Sequence, residues 1–163
     1  MIFYTPDDYN KYDVLNVPFS LVIVNLYLLK HYFIFAFPVM VQLPMISIVA
    51  QSLEQVIPSK NYSNGALLYS CIPALLVVIS MVRRVPSAGS FLRWVWRNGR
   101  GLLLLSLVLE IGLISLSVWL HIQKLNEVNL AFLYIDVLLI IFLFKYQNFV
   151  DVFAEFPQPK IIK

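Results

Sequence analysis

Four long apolar runs alternate with short polar stretches along the chain. They cover Pro18 to about Val41, Ala66 to Val82, Gly101 to Leu120, and about Val128 to Phe144. A helix that crosses a bilayer core needs about 20 apolar residues. The expected architecture is therefore all-α: a four-helix transmembrane bundle in one membrane domain over residues 1–163, with short amphipathic helices at the cytoplasmic face. From Pro18 the chain stays apolar for more than thirty residues, broken by Asn25, Lys30, His31, Gln42 and two prolines. At about 1.5 Å per residue, one straight helix of that length overshoots a core of about 30 Å, so the run must bend or stop. The preferred span starts at Pro18, with Pro38 loosening its outer end. The alternative starts near His31 and puts Lys30 at the inner surface. Pro73, near the middle of the second run, predicts a kink there.

Polar positions inside the runs fall on shared helix faces. At about 100° per residue, Tyr69, Pro73 and Ser80 share one sector of the second helix, and Ser106, Glu110 and Ser117 share one of the third. Asn129 and Asp136, seven apart, share a face of the fourth. These faces should turn toward other helices. Lys30 is twelve residues from Pro18, Glu110 ten from Arg100 and Asp136 eight from Val128, which puts all three roughly 12 to 18 Å from one membrane face. One unpaired charge at that depth costs at least about 2.5 kcal/mol, so an interior cluster of Lys30, Glu110 and Asp136 is expected. Two acids against one base leave a negative charge in excess, and one carboxyl should hold a proton. The expectation is Asp136 paired with Lys30, and the proton on Glu110. In the alternative, Lys30 snorkels to the inner surface beside Asp13, with Asp136 satisfied by Tyr69 or a serine.

The polar stretches add smaller elements. Thr5, Pro6 and Asp8 have the order of a helix start, which predicts a short helix over Pro6 to Tyr12 with Tyr9 and Tyr12 as interface anchors. Pro58, Asn64 and Gly65 mark an outer connection, where Asn61-Tyr62-Ser63 is read as a chance match to the glycosylation pattern. In the central stretch, Pro86 to Gly89 is a turn and Ser90 a helix cap. Arg93, Arg97 and Arg100 recur at steps of four and three, placing them on one face. Phe149, Val152, Phe153 and Phe156 follow helical spacing in the tail, with Asp151 and Glu155 opposite, so a docked amphipathic helix over 146–156 is expected to end before Pro157.

Composition agrees with the pattern. Of 163 residues, 60% are hydrophobic and 13% charged, and the mean hydropathy is +0.79, far from the balance of a soluble domain. The net charge of +3 would fit nucleic acid, but the basic residues gather at helix ends, where orientation explains them. Nine of them (Lys11, Arg83, Arg84, Arg93, Arg97, Arg100, Lys145, Lys160 and Lys163) fall on one side of the four-span arrangement, against Lys60 and Lys124 on the other. By the positive-inside bias, both termini are cytoplasmic. Asp7, Asp8 and Asp13 occupy the region a signal peptide would make positive. Arg83, Arg84, Arg93, Trp94, Trp96, Arg97 and Arg100 are read as an interface set over anionic lipid. The single cysteine, Cys71, is a packing residue.

A wider resemblance rests on Tyr9, Lys11, Leu15 and Pro18 at the start, a basic residue deep in the first run, an Arg/Trp-rich central stretch, an acid in the last run, and the closing Asp151-Val152-Phe153-Ala154-Glu155-Phe156-Pro157. With these the chain resembles the YfeZ-like family of small bacterial inner-membrane proteins over its whole length. Lys30, where arginine is expected, and Glu110, where a neutral residue is expected, depart from that pattern. The resemblance implies an inner-membrane location and this architecture, and no activity.

Nothing in the chain has the spacing of a catalytic or metal site. His31 and His121 lie far apart, no His-x-x-x-His occurs, and Arg97-Asn98-Gly99-Arg100-Gly101 lacks the spacing of a dinucleotide loop. The expectation is a non-enzymatic accessory or scaffold component without cofactor. Its partners would be the bilayer and a membrane protein or a second copy, with no nucleic acid. The alternative is a small transporter or ion-conducting protein that uses Lys30, Glu110 and Asp136.

Overall fold

A computed structural model describes residues 4–40, 65–121 and 127–158, with the side chains of 37–40 excepted. The Asn61-Tyr62-Ser63 match, the outer Lys60 and Lys124, and Lys160 and Lys163 lie outside the described residues. Within them the regular structure is all helical. The helices are α1 (Phe19–Leu28), α2 (Lys30–Met40), α3 (Leu67–Ser70), α4 (Ile72–Val82), α5 (Ser90–Arg97), α6 (Gly99–Trp119), α7 (Glu127–Lys145) and α8 (Gln147–Ala154). Among the described residues, α6 and α7 are long and apolar enough to cross a membrane, and the bent α1–α2 pair is a third candidate. Leu67–Val82 forms a shorter apolar unit.

The N-terminal segment differs from the expected helix. Only Pro6–Asp8 is helical, as a single 3-10 turn. The Asp8 carboxylate accepts from the Thr5 N–H at 2.7 Å and the Thr5 hydroxyl at 2.9 Å, the acidic half of the expected cap. These two donors hold its pKa below the usual carboxylate value. The helix then stops because the Asn10 side chain accepts from the Tyr12 N–H at 2.9 Å, a local turn that competes with helix. Asp13 follows at φ 57°, and the chain doubles back so that Tyr9 bridges Leu15. Tyr9 is exposed and Tyr12 half-buried.

The first apolar run bends by 49° at Leu29. Its first helix begins directly after Pro18 and its second at Lys30, beside His31, so each of the two expected starting points adjoins a helix N-terminus. In the second run the break falls at Cys71, two residues before Pro73, which has no N–H to continue the ladder. The break leaves the Ala74 N–H in the first turn of α4 without an intrahelical acceptor. The Ser106 hydroxyl of α6 accepts it at 3.1 Å, so a polar position of the third run caps a helix of the second. Pro73 and Ser80 are buried, but Tyr69, expected on the same sector, is 69% exposed: the buried face of this unit runs through Leu67, Ser70, Cys71, Ala74 and Val77, to one side of it.

Helix α6 is the axis of the molecule and packs against α1, α3, α4, α5, α7 and α8. Leu103 and Leu107 on α6 meet Leu21, Val24 and Leu28 of α1 and Ala74 and Val77 of α4 in the core. The sector of Ser106, Glu110 and Ser117 is buried, whereas Leu105, Val108 and Leu116 face outward. On α7, Asn129 and Asp136 are buried and Tyr134, Val137, Leu138, Ile141 and Phe144 are exposed. That outer face is apolar and the inner one carries the charge, the reverse of a water-soluble bundle.

Ser106→Ala should leave the Ala74 N–H buried and unpaired and lower stability by about 1 to 3 kcal/mol. Thermal unfolding in lipid nanodiscs measures this, and Ser115→Ala, at an exposed position of the same helix, should stay near zero.

Candidate functional site

Lys30, Glu110 and Asp136 come together inside the bundle from α2, α6 and α7. Lys30 Nζ lies 2.5 Å from Glu110 Oε1 and 3.8 Å from Asp136 Oδ1. Both carboxylates are almost fully buried, and the lysine side chain keeps 11% exposure. The nearer acid is thus Glu110, where the sequence reading paired Lys30 with Asp136. A fourth group, His31, completes the site: its Nε2 is 3.0 Å from the same Glu110 oxygen. Consecutive residues of an uninterrupted helix point about 100° apart. Both side chains leave the first two positions of α2, and the length of the lysine lets it reach the oxygen that His31 also meets. The Lys30 ammonium and the His31 ring nitrogen thus lie against one and the same carboxylate oxygen.

Asp136 has different surroundings. Its Oδ1 accepts from the Tyr27 hydroxyl of α1 at 2.8 Å, and its Oδ2, fully buried, has no hydrogen-bond partner among the described residues. The Tyr27 ring centroid is 3.8 Å from Lys30 Nζ and the Phe132 centroid 5.1 Å, so two aromatic faces shield the ammonium. Neither His31 nor Tyr27 was legible as part of the site. Their signal was the adjacency of His31 to Lys30, and the placement of Tyr27 three residues before Lys30 on the same face.

Below the cluster, three segments distant in sequence close into a clasp. The Arg84 guanidinium donates to the Leu15 carbonyl at 2.6 Å and the Glu155 carbonyl at 2.9 Å, and stacks over the Trp96 ring at 4.7 Å. Trp96 Nε1 donates to the carbonyls of Val152 at 3.0 Å and Glu155 at 2.9 Å, satisfying acceptors at the end of α8. The Glu155 side chain accepts from the Leu15 N–H at 2.7 Å. Burial pushes the Arg84 pKa down to about 10, against the opposing pull of Glu155. Phe149, Val152 and Phe153 on α8, and Phe156 just beyond it, are buried. Phe153 lies 4.9 Å from Trp96 between ring centroids, over Gly99, where a Cβ would collide with the Phe153 ring.

Arg84 and Trp96 were read as facing lipid. They are inside, because the end of α8 offers them bare carbonyls and an aromatic partner. Arg93 is half-buried, donating to Pro86 O at 2.7 Å and Ala88 O at 3.2 Å. Arg100 is separated from Arg93 and Arg97 by the helix break at Asn98 and belongs to α6. It donates to the Phe144 carbonyl of α7 at 3.0 Å. Arg83, Trp94 and Arg97 remain exposed. Among the described residues no three of His, Cys, Asp and Glu are disposed to hold a metal ion.

The fold and the site define an all-helical protein with two to three helices long and apolar enough to span a membrane, compatible with a membrane protein, and with an ion cluster in its interior. The chain belongs to the family described as protein of unknown function (DUF2919), which matches residues 4–155. No curated protein and no solved structure matches it.

Lys30→Met should strand two buried carboxylates and destabilise the protein by about 3 to 5 kcal/mol. Adding Glu110→Gln should recover more of that loss than adding Asp136→Asn, as read from unfolding midpoints of the two double variants. Simple additivity in both would exclude the contacts. A further test concerns Tyr4, whose hydroxyl donates to Asp151 at 2.6 Å. Burial and the Asp151 carboxylate push its pKa from 10.0 up to about 12. The tie is fully present below the unfolded value and lost as pH rises through the folded one. The stability difference between wild type and Tyr4→Phe should therefore be constant below about pH 10 and close by about pH 12. A difference that persists above pH 12 would contradict the assignment.

Proposed function

We propose that the protein is a non-enzymatic accessory or scaffold component of the bacterial inner membrane, crossing it four times with both termini cytoplasmic. The α1–α2 pair, the α3–α4 unit, α6 and α7 supply the four crossings. The observation that carries this reading is the clasp. Its three strands of chain, around Leu15, Arg84 to Trp96 and Val152 to Glu155, are the segments that the charge asymmetry assigns to the cytoplasm, and they meet at one place. The clasp presents a firm outer face. Phe91 and Trp94 stack at 6.5 Å and are both exposed. A shallow cavity beside them is lined by Ser90, Arg93, Trp94, Arg97 and Asn98. Exposed cations and aromatic rings at the inner edge of a bundle suit anionic phospholipid headgroups and the acidic surface of a membrane-protein partner.

The ion cluster favours a second reading, a small transporter or ion-conducting protein, because ionisable groups held inside a membrane bundle often line a path. Purification from native membranes separates the two. A stoichiometric partner that is lost on Arg97→Glu supports the scaffold. Ion flux from the pure protein in liposomes, abolished by Glu110→Gln, supports transport and contradicts it. Topology is tested on its own by reporter fusions after Lys163 and within residues 60–65, which should report opposite sides. Same-side signals would overturn the four crossings.

A further inference from the structure

The titratable groups that meet at the cluster are Tyr27 of α1, Lys30 and His31 of α2, Glu110 of α6 and Asp136 of α7. Cys71, at the break between α3 and α4, lies within electrostatic reach of Glu110 and Lys30, with Tyr32 beside it. The charges of these groups do not cancel unaided. Lys30 and Glu110 form a neutral pair at 2.5 Å. Asp136 then adds one buried negative charge, and the cluster is neutral only with one more proton. Two groups are placed to hold it. On Asp136, the proton would sit at Oδ2, which no donor among the described residues reaches, while Oδ1 still accepts from Tyr27. On His31, it would make an imidazolium whose Nε2–H donates to Glu110 at 3.0 Å and whose charge offsets an ionised Asp136.

We propose that this cluster is a proton-binding site, holding one exchangeable proton whose alternative seats are the Asp136 carboxyl and the His31 imidazole, with the Lys30–Glu110 pair fixed between them. The ligand is the proton itself, and binding it involves no other bond. The site goes beyond the scaffold reading and does not depend on it. A proton that is bound but not conducted leaves the site intact and removes only the transport reading.

The test uses the full chain in lipid nanodiscs. Histidine 15N resonances report the protonation of His31, with the exposed His121 as an internal reference, and infrared carboxyl bands report Asp136. In the wild type one proton should be taken up at the cluster between about pH 5 and 8, the range in which a histidine site exchanges. Asp136→Asn makes the cluster neutral without the extra proton, so uptake should vanish and His31 should stay neutral throughout. In His31→Gln the same uptake should appear wholly on the carboxyl band. Tyr27→Phe changes no charge but removes the donor to the ionised Asp136, so wild-type uptake should move to higher pH. The proposal is overturned if the wild type shows no uptake over that range, if the carboxyl stays protonated throughout, or if His31 titrates identically with and without Asp136. The wild-type titration decides even if a variant fails to fold.

Discussion

The buried ammonium of Lys30 constrains the rest of the structure. Left unpaired inside an apolar bundle, it would cost at least about 2.5 kcal/mol, comparable to what burying one leucine contributes. It has to be answered from helices that are not its neighbours in sequence. Glu110 answers it from α6 and Asp136 from α7, and Tyr27 and Phe132 shield it with their rings. That requirement fixes which faces of α2, α6 and α7 point inward, and so which leucines are left to the outside. The bend at Leu29 lies directly before this site, so α2 starts with Lys30 and His31, the two residues that meet Glu110.

Much of this was legible in the sequence because charge inside an apolar run leaves few choices. The depths of Lys30, Glu110 and Asp136 overlapped by residue counting alone, and the sector of Ser106, Glu110 and Ser117 followed from an unbroken helix, which α6 is. Reading by sector failed at particular positions. Tyr69 shares a sector with Pro73 and Ser80 but sits at the edge of the buried face, which is centred on Ser70, Ala74 and Val77. Arg100 was grouped with Arg93 and Arg97 across the break at Asn98. The short N-terminal helix gave way to a turn because one side chain, Asn10, offered the backbone a local alternative.

The clasp shows a second limit of reading by composition. Arginines and tryptophans near the end of an apolar helix usually face lipid, and Arg97 and Trp94 are exposed as that rule expects. Arg84 and Trp96 instead satisfy the carbonyls left bare where α8 ends, a demand that arises only once the tail has folded back. The two regions are coupled through α6, which begins under Phe153 at Gly99 and carries Glu110 into the ion cluster. Tail docking and charge pairing thus act on one rigid helix.

The central claim is that Lys30 is neutralised inside the bundle rather than extended to a membrane surface. Solid-state NMR of the protein in lipid bilayers, labelled with 15N at lysine and histidine side chains and 13C at glutamate and aspartate carboxyls, measures this directly. The account predicts short-range correlations from Lys30 Nζ to the Glu110 carboxyl carbon and from His31 Nε2 to the same carbon, with a weaker one from Lys30 to Asp136. A Lys30 signal that correlates with water or lipid phosphate and with neither carboxyl would contradict it.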